Sequence, residues 1–301
     1  ARLFTPTEQR LASQLILDIG LQTVPILVKM LTDPNESTQA RTICARCLSD
    51  LAFPQLETRA DALIKETLET SLACSRNASV LAEYSDRGPG HRVLYRHYRD
   101  FPRQNITFIL EILFQTGRLP DFNLVQSSLD SNNPKDLANG LETVEQAIGR
   151  KWFPVFESLA RGRSPEESAD IGLRRGIIDP IDYDDLINQA LEAQLPVECA
   201  AAIQASHEAA PEAALEYIAL QQGSERPVLY HQCAMRLLER ACKDSARKSQ
   251  PTEPTFIDQL DWLSGHAFFE GLTLREIEIL LEKSETVALP KSTAISDRDK
   301  P

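Results

Sequence analysis

An apolar-Pro-apolar-apolar stretch followed three residues later by a further apolar pair occurs twice in this chain. It reads Val24-Pro25-Ile26-Leu27 with Met30-Leu31, and Phe153-Pro154-Val155-Phe156 with Leu159-Ala160. Proline suits the first turn of a helix, where its missing N–H has no intrahelical partner to lose. The apolar residues behind it then form one stripe of that helix. Each stretch is preceded by another amphipathic segment, Ala12, Leu15, Ile16 and Ile19 in one case and Ala138, Leu141, Val144 and Ile148 in the other. Related first helices carry Ala40, Ile43, Cys47, Leu48 and Leu51, and Ala234, Leu237 and Leu238. Several open on a capping-type residue beside proline, at Thr5, Asp33 and Asn132. One helical hairpin cannot bury both its faces, so hairpins recurring across short turns must stack. The pattern predicts an all-α chain, an α-solenoid of helical hairpins.

These features resemble HEAT repeats, whose first helix follows an Asp-Pro turn and whose second begins with the apolar-proline motif. Matches lie at 5–31, 33–72 and 131–161, with a weaker one at 225–242. The spacing is uneven, and the middle repeats read as degenerate or replaced by insertions. Between them a long helix is predicted from Leu56 to about Tyr84, with Ala60, Leu63, Ile64, Leu68 and Leu72 on one face. Residues 162–191 read as a connector, with a capping-box start at Ser164 and a helix opening near Asp182. Residues 1–242 are therefore assigned to a HEAT-like domain, and the polar, proline-containing stretch 243–255 to a linker.

Residues 256–301 have a different pattern. Phe256, Leu260 and Leu263 make a short amphipathic helix, and Phe269-Glu270-Gly271-Leu272 forms a turn. Thr273 and Glu276 fit a capping box, and Leu274, Ile277, Leu280 and Leu281 face one side of the next helix. Residues 285–291 alternate as a strand does and end in Leu289-Pro290-Lys291. This resembles the entrance of a cyclic-nucleotide-binding domain, with Ser292 where that family usually has glycine. The resemblance implies a helical lead-in to a truncated domain. The family's phosphate-binding cassette has no counterpart, so no cyclic nucleotide is expected to bind. HEAT-like repeats followed by such a domain resemble the soluble part of bacterial nucleotide-translocase-like (ADP/ATP carrier type) membrane proteins. That resemblance concerns architecture and implies no transport activity for this chain.

Composition narrows the function classes. The chain has 301 residues and a formal net charge of −12. That balance does not favour nucleic acid, whose phosphates require clustered Lys and Arg. By sequence, no apolar run approaches the ~18 residues of a membrane helix. Without an initiator Met, both ends read as cut from a longer protein. The six cysteines sit within helical patterns and imply a reducing, cytoplasmic setting, which includes the cytoplasmic face of a membrane if that longer protein is membrane-bound. The sequons at Asn77 and Asn105 then read as chance matches.

No motif for catalysis, cofactor or metal is found. Cys44-Ala45-Arg46-Cys47 lies inside a helix and reads as a pair of small buried hydrophobes. Asp179, Asp182, Asp184 and Asp185 lack the glycine and glutamate of a calcium loop and read as helix caps. The strongest candidate is a basic-aromatic stretch in which Arg92, Arg96, Arg99 and Arg103 share a helix face beside Tyr95 and Tyr98. It is read either as a contact surface for an acidic protein or anionic membrane, or as a set of ion pairs with neighbouring helices. The expected function is a non-enzymatic scaffold or regulatory module that binds a protein partner or the missing domains of its own longer chain. The alternatives are a coupling module of a nucleotide-transporter-like membrane protein and a HEAT-like lyase acting on bilin chromophores.

Overall fold

The computed structural model describes residues 6–221, 223, 225–245, 253–270 and 272–284. Among these, every regular element is helical, so the all-α class is observed. The predicted strand at 285–291 lies outside the described residues, as do Thr5, most of the linker and Gly271.

Helix α1 (Pro6–Ile19) leads through a 3₁₀ turn (Gly20–Thr23) into α2 (Val24–Thr32). The left-handed Gly20, at φ +79°, bends the chain there. Both helices pack on α3 (Thr38–Ala82), and neither takes the other as its main partner. The hairpin expected at 5–31 is therefore absent. Its stripe divides: Ile16 and Leu17 meet the core, while Leu15 and Ile19 are 63% and 60% exposed. By length and composition alone, Gln9–Thr32 is also apolar enough to cross a membrane, although Arg10, Asp18 and Lys29 lie within it. This corrects the expectation that no segment of that kind exists.

Helix α3 opens on Ser37, whose side chain accepts from the Ala40 N–H, and leaves helical geometry at Ala52 (φ −154°, ψ 53°), just before Pro54. Its two arms run in opposite directions beside α4 (Pro89–Gln115). Before the break, Arg46 bonds Glu111 and Ser49 bonds the Gln115 carbonyl, so the numbers rise together. After it, Arg118 reaches Asp61 and Asn105 bonds Ser71, so they run oppositely. Ala52 is therefore a corner at which the chain reverses along α4. The stripe Ala60, Leu63, Ile64, Leu68 and Leu72 is buried.

The long arm of α3 and α4 form an antiparallel pair that runs through two hydrophobic cores. The first core unites α2, most of α3 and the C-terminal half of α4 with α5 (Phe122–Leu129), α6 (Pro134–Ile148) and α7 (Phe153–Ala160). Helix α8 (Pro165–Arg174) lies along α3. The second core joins the end of α3 and the start of α4 to α9 (Tyr183–Leu191), α10 (Pro196–Ala209), α11 (Pro211–Leu220) and α12 (Val228–Ser245). It also takes Ile257 and Leu260 from α13 (Phe256–Ser264), and Leu274 and Ile277 from α14 (Leu274–Lys283). Pro102 sits inside α4, between Tyr98 of the second core and Ile106 of the first. An interior proline costs a helix ~3 kcal/mol, and the packing of both halves of α4 offsets that cost.

Each repeat of a simple solenoid touches only its neighbours. Here α3 contacts α8 and α4 contacts α13 and α14, so the helices gather round a shared pair. The stretch read as a connector forms α8, with its Ser164–Glu167 capping box, and α9, capped by Asp182. Both sequon asparagines, Asn77 and Asn105, are buried, which agrees with chance matches. Leu68 is wholly buried on the α3 long arm. Leu68→Ala is expected to cost about 3 kcal/mol in urea unfolding, and a loss below about 1 kcal/mol would show that this arm does not carry the core.

Candidate functional site

The first half of α4 carries the basic-aromatic stretch and is built from its first turn outward. Pro89 stands in that turn and Gly88, at the N-cap, offers no side chain. The free N–H groups at the helix start are met from α10 instead. Glu208 accepts from the Gly90 N–H at 2.8 Å and the His91 N–H at 3.3 Å. Its carboxylate also lies 2.8 Å from His91 Nδ1, while His91 Nε2 lies 2.8 Å from the Tyr183 hydroxyl. Tyr183 stacks on Tyr84 at 4.2 Å, and the Arg87 guanidinium covers Tyr84. This arrangement explains the Gly-Pro-Gly turn. A Cβ on Gly88 would meet the Glu208 carboxylate at 2.2 Å, and one on Gly90 would meet the Ala205 backbone nitrogen at 2.5 Å.

From Glu208 a polar chain leads to α13. Gln204, 2% exposed, donates from Nε2 to Asp258 at 2.6 Å and accepts from the Thr255 hydroxyl at 2.6 Å. Thr255 and Asp258 form the capping box that opens α13, and Arg240 of α12 pairs with Asp258. Burial opposes the charge on Asp258. Hydrogen bonds from Arg240, the Thr255 N–H and Gln204 together outweigh it and hold the carboxyl below its usual value.

One turn further along α13, Asp261 receives Arg92 through Nε at 3.0 Å and Nη2 at 2.7 Å. Arg96 approaches the same carboxylate at 3.6 Å and bonds the Ser264 hydroxyl. The Asp261 side chain is 12% exposed, so this is a partly dehydrated clamp with two guanidinium groups on one carboxylate. Helix α14 follows from its Thr273–Glu276 capping box and lays Leu274 and Ile277 in the second core. Burial pushes the Glu278 carboxyl above its usual range, against the pull of its partner Arg275.

The six residues singled out by sequence have separate roles. Arg92 and Arg96 hold α13. Tyr98 is 3% exposed and donates to Glu198 of α10 at 2.5 Å. Burial first, then the Glu198 charge, raises its phenol well above the usual value. Tyr95 is half-buried on the second core with Arg99 over its ring, and Arg99 pairs with Asp100. Arg103 meets Asp130 at 3.4 Å in solvent, a pair worth little. The stretch thus makes ion pairs with neighbouring helices at Arg92, Arg96 and Arg103. Sequence reasoning missed Asp261, Glu208, Gln204 and Arg240. Thr255-x-x-Asp258 was a readable capping signature, whereas nothing local marks Glu208 as a cap for a helix that begins over a hundred residues earlier.

The other candidates resolve as structural. Cys44 and Cys47 are buried in the first core, and burial raises both thiols, Cys44 to about 12. Asp182 accepts from the Asp185 N–H at 2.8 Å as the cap of α9, and the Asp179 carbonyl accepts from Arg76. Among the described residues no group of His, Cys, Asp and Glu is placed to hold a metal ion. Comparison with family models, curated proteins and solved structures returns no match.

Two outcomes test this geometry. Gly90→Ala is expected to lower stability by about 2 kcal/mol or more in urea, because the colliding atom is backbone; an unchanged midpoint would contradict the close approach of α4 to α10. The depressed native value of Asp258 means its stabilisation is present above about pH 3.8, its usual value, and is lost as pH falls through the lower native value. Asp258→Asn should therefore cost about 1–2 kcal/mol at pH 7, with the gap to wild type closing below pH 4. A gap that persists or widens in acid would rule out the charged form as the stabilising one.

Proposed function

We propose that this chain is a non-enzymatic helical-repeat module, a scaffold in which α4 seats the C-terminal helices and fixes what they carry against the rest of the fold. On this reading its hairpins are degenerate HEAT-like repeats. Helices α13 and α14 are the lead-in to a cyclic-nucleotide-binding-like domain, and the partner is a protein or a further part of the same longer chain. The observation that carries the proposal is the Arg92–Asp261–Arg96 clamp, which joins residues 169 apart in sequence and leaves the Asp261 side chain only 12% exposed. The order of a helix, a 3₁₀ turn at Ala267–Phe269, a capping box at Thr273 and a second helix supports the lead-in. The rest of that resemblance, at Gly271 and at Leu289-Pro290-Lys291, lies outside the described residues.

A seat of this kind differs from a flexible tether in one respect: α13 must hold its orientation while load passes through it. Hydrophobic burial of Ile257 and Leu260 supplies adhesion, and the two guanidinium groups on Asp261 fix register, because only one approach satisfies both. A double-mutant cycle on the full chain tests this. Arg92→Glu and Asp261→Arg are each expected to cost about 1–2 kcal/mol, and the pair together should recover about 1 kcal/mol. Strict additivity would mean that the clamp does not hold α13, and the seat reading would fall.

A further inference from the structure

The outer face of α1 carries a row of apolar side chains that nothing covers among the described residues. Leu11, Leu15 and Ile19 are 59%, 63% and 60% exposed, while Ile16 and Leu17 on the opposite side pack on the first core. The three lie at i, i+4 and i+8 and so make one continuous ridge, the kind that interdigitates with a like ridge in the commonest class of helix packing. A parallel row runs beside it at Arg10, Gln14 and Asp18, all exposed. Its ends carry opposite charges, and its middle is a neutral amide that donates to Asp18 at 2.9 Å. Among the described residues no ion pair involves Arg10 or Asp18, so both charges face water beside the ridge.

We infer that this face pairs with the same face of a second copy of the chain, antiparallel, about a two-fold axis at Leu15. In such an isologous contact, residue i meets j and j meets i. With Leu15 on the axis, Leu11 of one copy lies against Ile19 of the other and Leu15 against Leu15. The polar row is centred one residue away at Gln14, so it brings Gln14 beside Gln14 and Arg10 beside Asp18 twice over with an axial offset of about 3 Å, within the reach of the arginine side chain. A parallel arrangement would set Arg10 against Arg10 and Asp18 against Asp18. The charge order therefore selects the antiparallel pair and disfavours the parallel one. It also argues against a lipid surface as the occupant. Helices that lie in a membrane interface carry a cationic polar face, whereas the row beside this ridge holds one arginine and one aspartate and so has no net charge, in a chain of net charge −12. The inference is independent of the seat on α4, which lies on the second core.

Sedimentation velocity and light scattering of the full chain over a range of concentrations test it. The wild type is expected to show a monomer–dimer equilibrium. Arg10→Asp and Asp18→Arg should each weaken the dimer about tenfold, since each replaces two attractive contacts by two repulsive ones. The double exchange R10D/D18R should restore it. Leu15→Glu should abolish dimerisation and leave the thermal unfolding midpoint of the monomer unmoved, compared at concentrations where the wild type is also monomeric, because Leu15 is solvent-facing in the single chain. A Leu15→Cys variant on a Cys242→Ser background should form a covalent dimer under mild oxidation, because Leu15 meets its own copy on the axis and Cys242 is the exposed native thiol among the described residues. A wild type that stays monomeric throughout overturns the inference. So does a double exchange no tighter than the single ones. A monomer that co-sediments through α1 with phosphatidylglycerol vesicles would assign the face to lipid and overturn it equally.

Discussion

The antiparallel pairing of the α3 long arm with α4 is the constraint on which the rest depends. Each helix contributes to both cores, so each changes partners along its length. In α3 the change comes between Leu72, in the first core, and Cys74, in the second. In α4 it comes at Pro102, between Tyr98 and Ile106. The pair is also tied by polar contacts in the interior, with Asn105 donating to the buried Ser71 hydroxyl and Arg46 bonding Glu111, which is 2% exposed. Buried polar contacts of this kind define register, because a shift by one residue would strand each of them without a partner.

Because α4 belongs to both cores, whatever binds its first half is coupled to the whole fold. That half satisfies its own backbone from outside through Glu208, and the same carboxylate orients His91 and, through Gln204, reaches the cap of α13. Orphan donors at a helix start, a buried amide and a capping box thus form one connected network. Helices α13 and α14 are fixed at three kinds of contact: apolar side chains in the second core, the Asp258 cap, and the Asp261 clamp. A segment whose sequence pattern sets it apart from residues 1–242 therefore shares a core with them.

How much of this was legible follows from the range of each interaction. Caps operate over three residues, and so Thr273–Glu276, Ser164–Glu167 and Asp182 could be read directly, as could the buried face from Ala60 to Leu72. The period of a helix says which residues share a face and does not say which face is covered. Leu15 and Ile19 were accordingly assigned to a hairpin interior and prove to be solvent-facing. Arg92 and Arg96 were correctly placed on one side of a helix, but Asp261 lies 169 residues beyond Arg92 and carries no local mark. The glycines of the Gly-Pro-Gly turn carry no local mark of their role either, because what occupies the space where their side chains would be is the carboxylate and backbone of another helix.

The central claim is that α13 and α14 belong to the same cooperative unit as α4. Native-state amide hydrogen exchange measured against increasing denaturant tests it most directly. The account predicts that amides of 257–264 and 275–283 exchange with the same free energy and denaturant dependence as those of 93–101. Exchange of the C-terminal helices at a much lower free energy, with α4 still protected, would show them to be a detachable appendage and would contradict it.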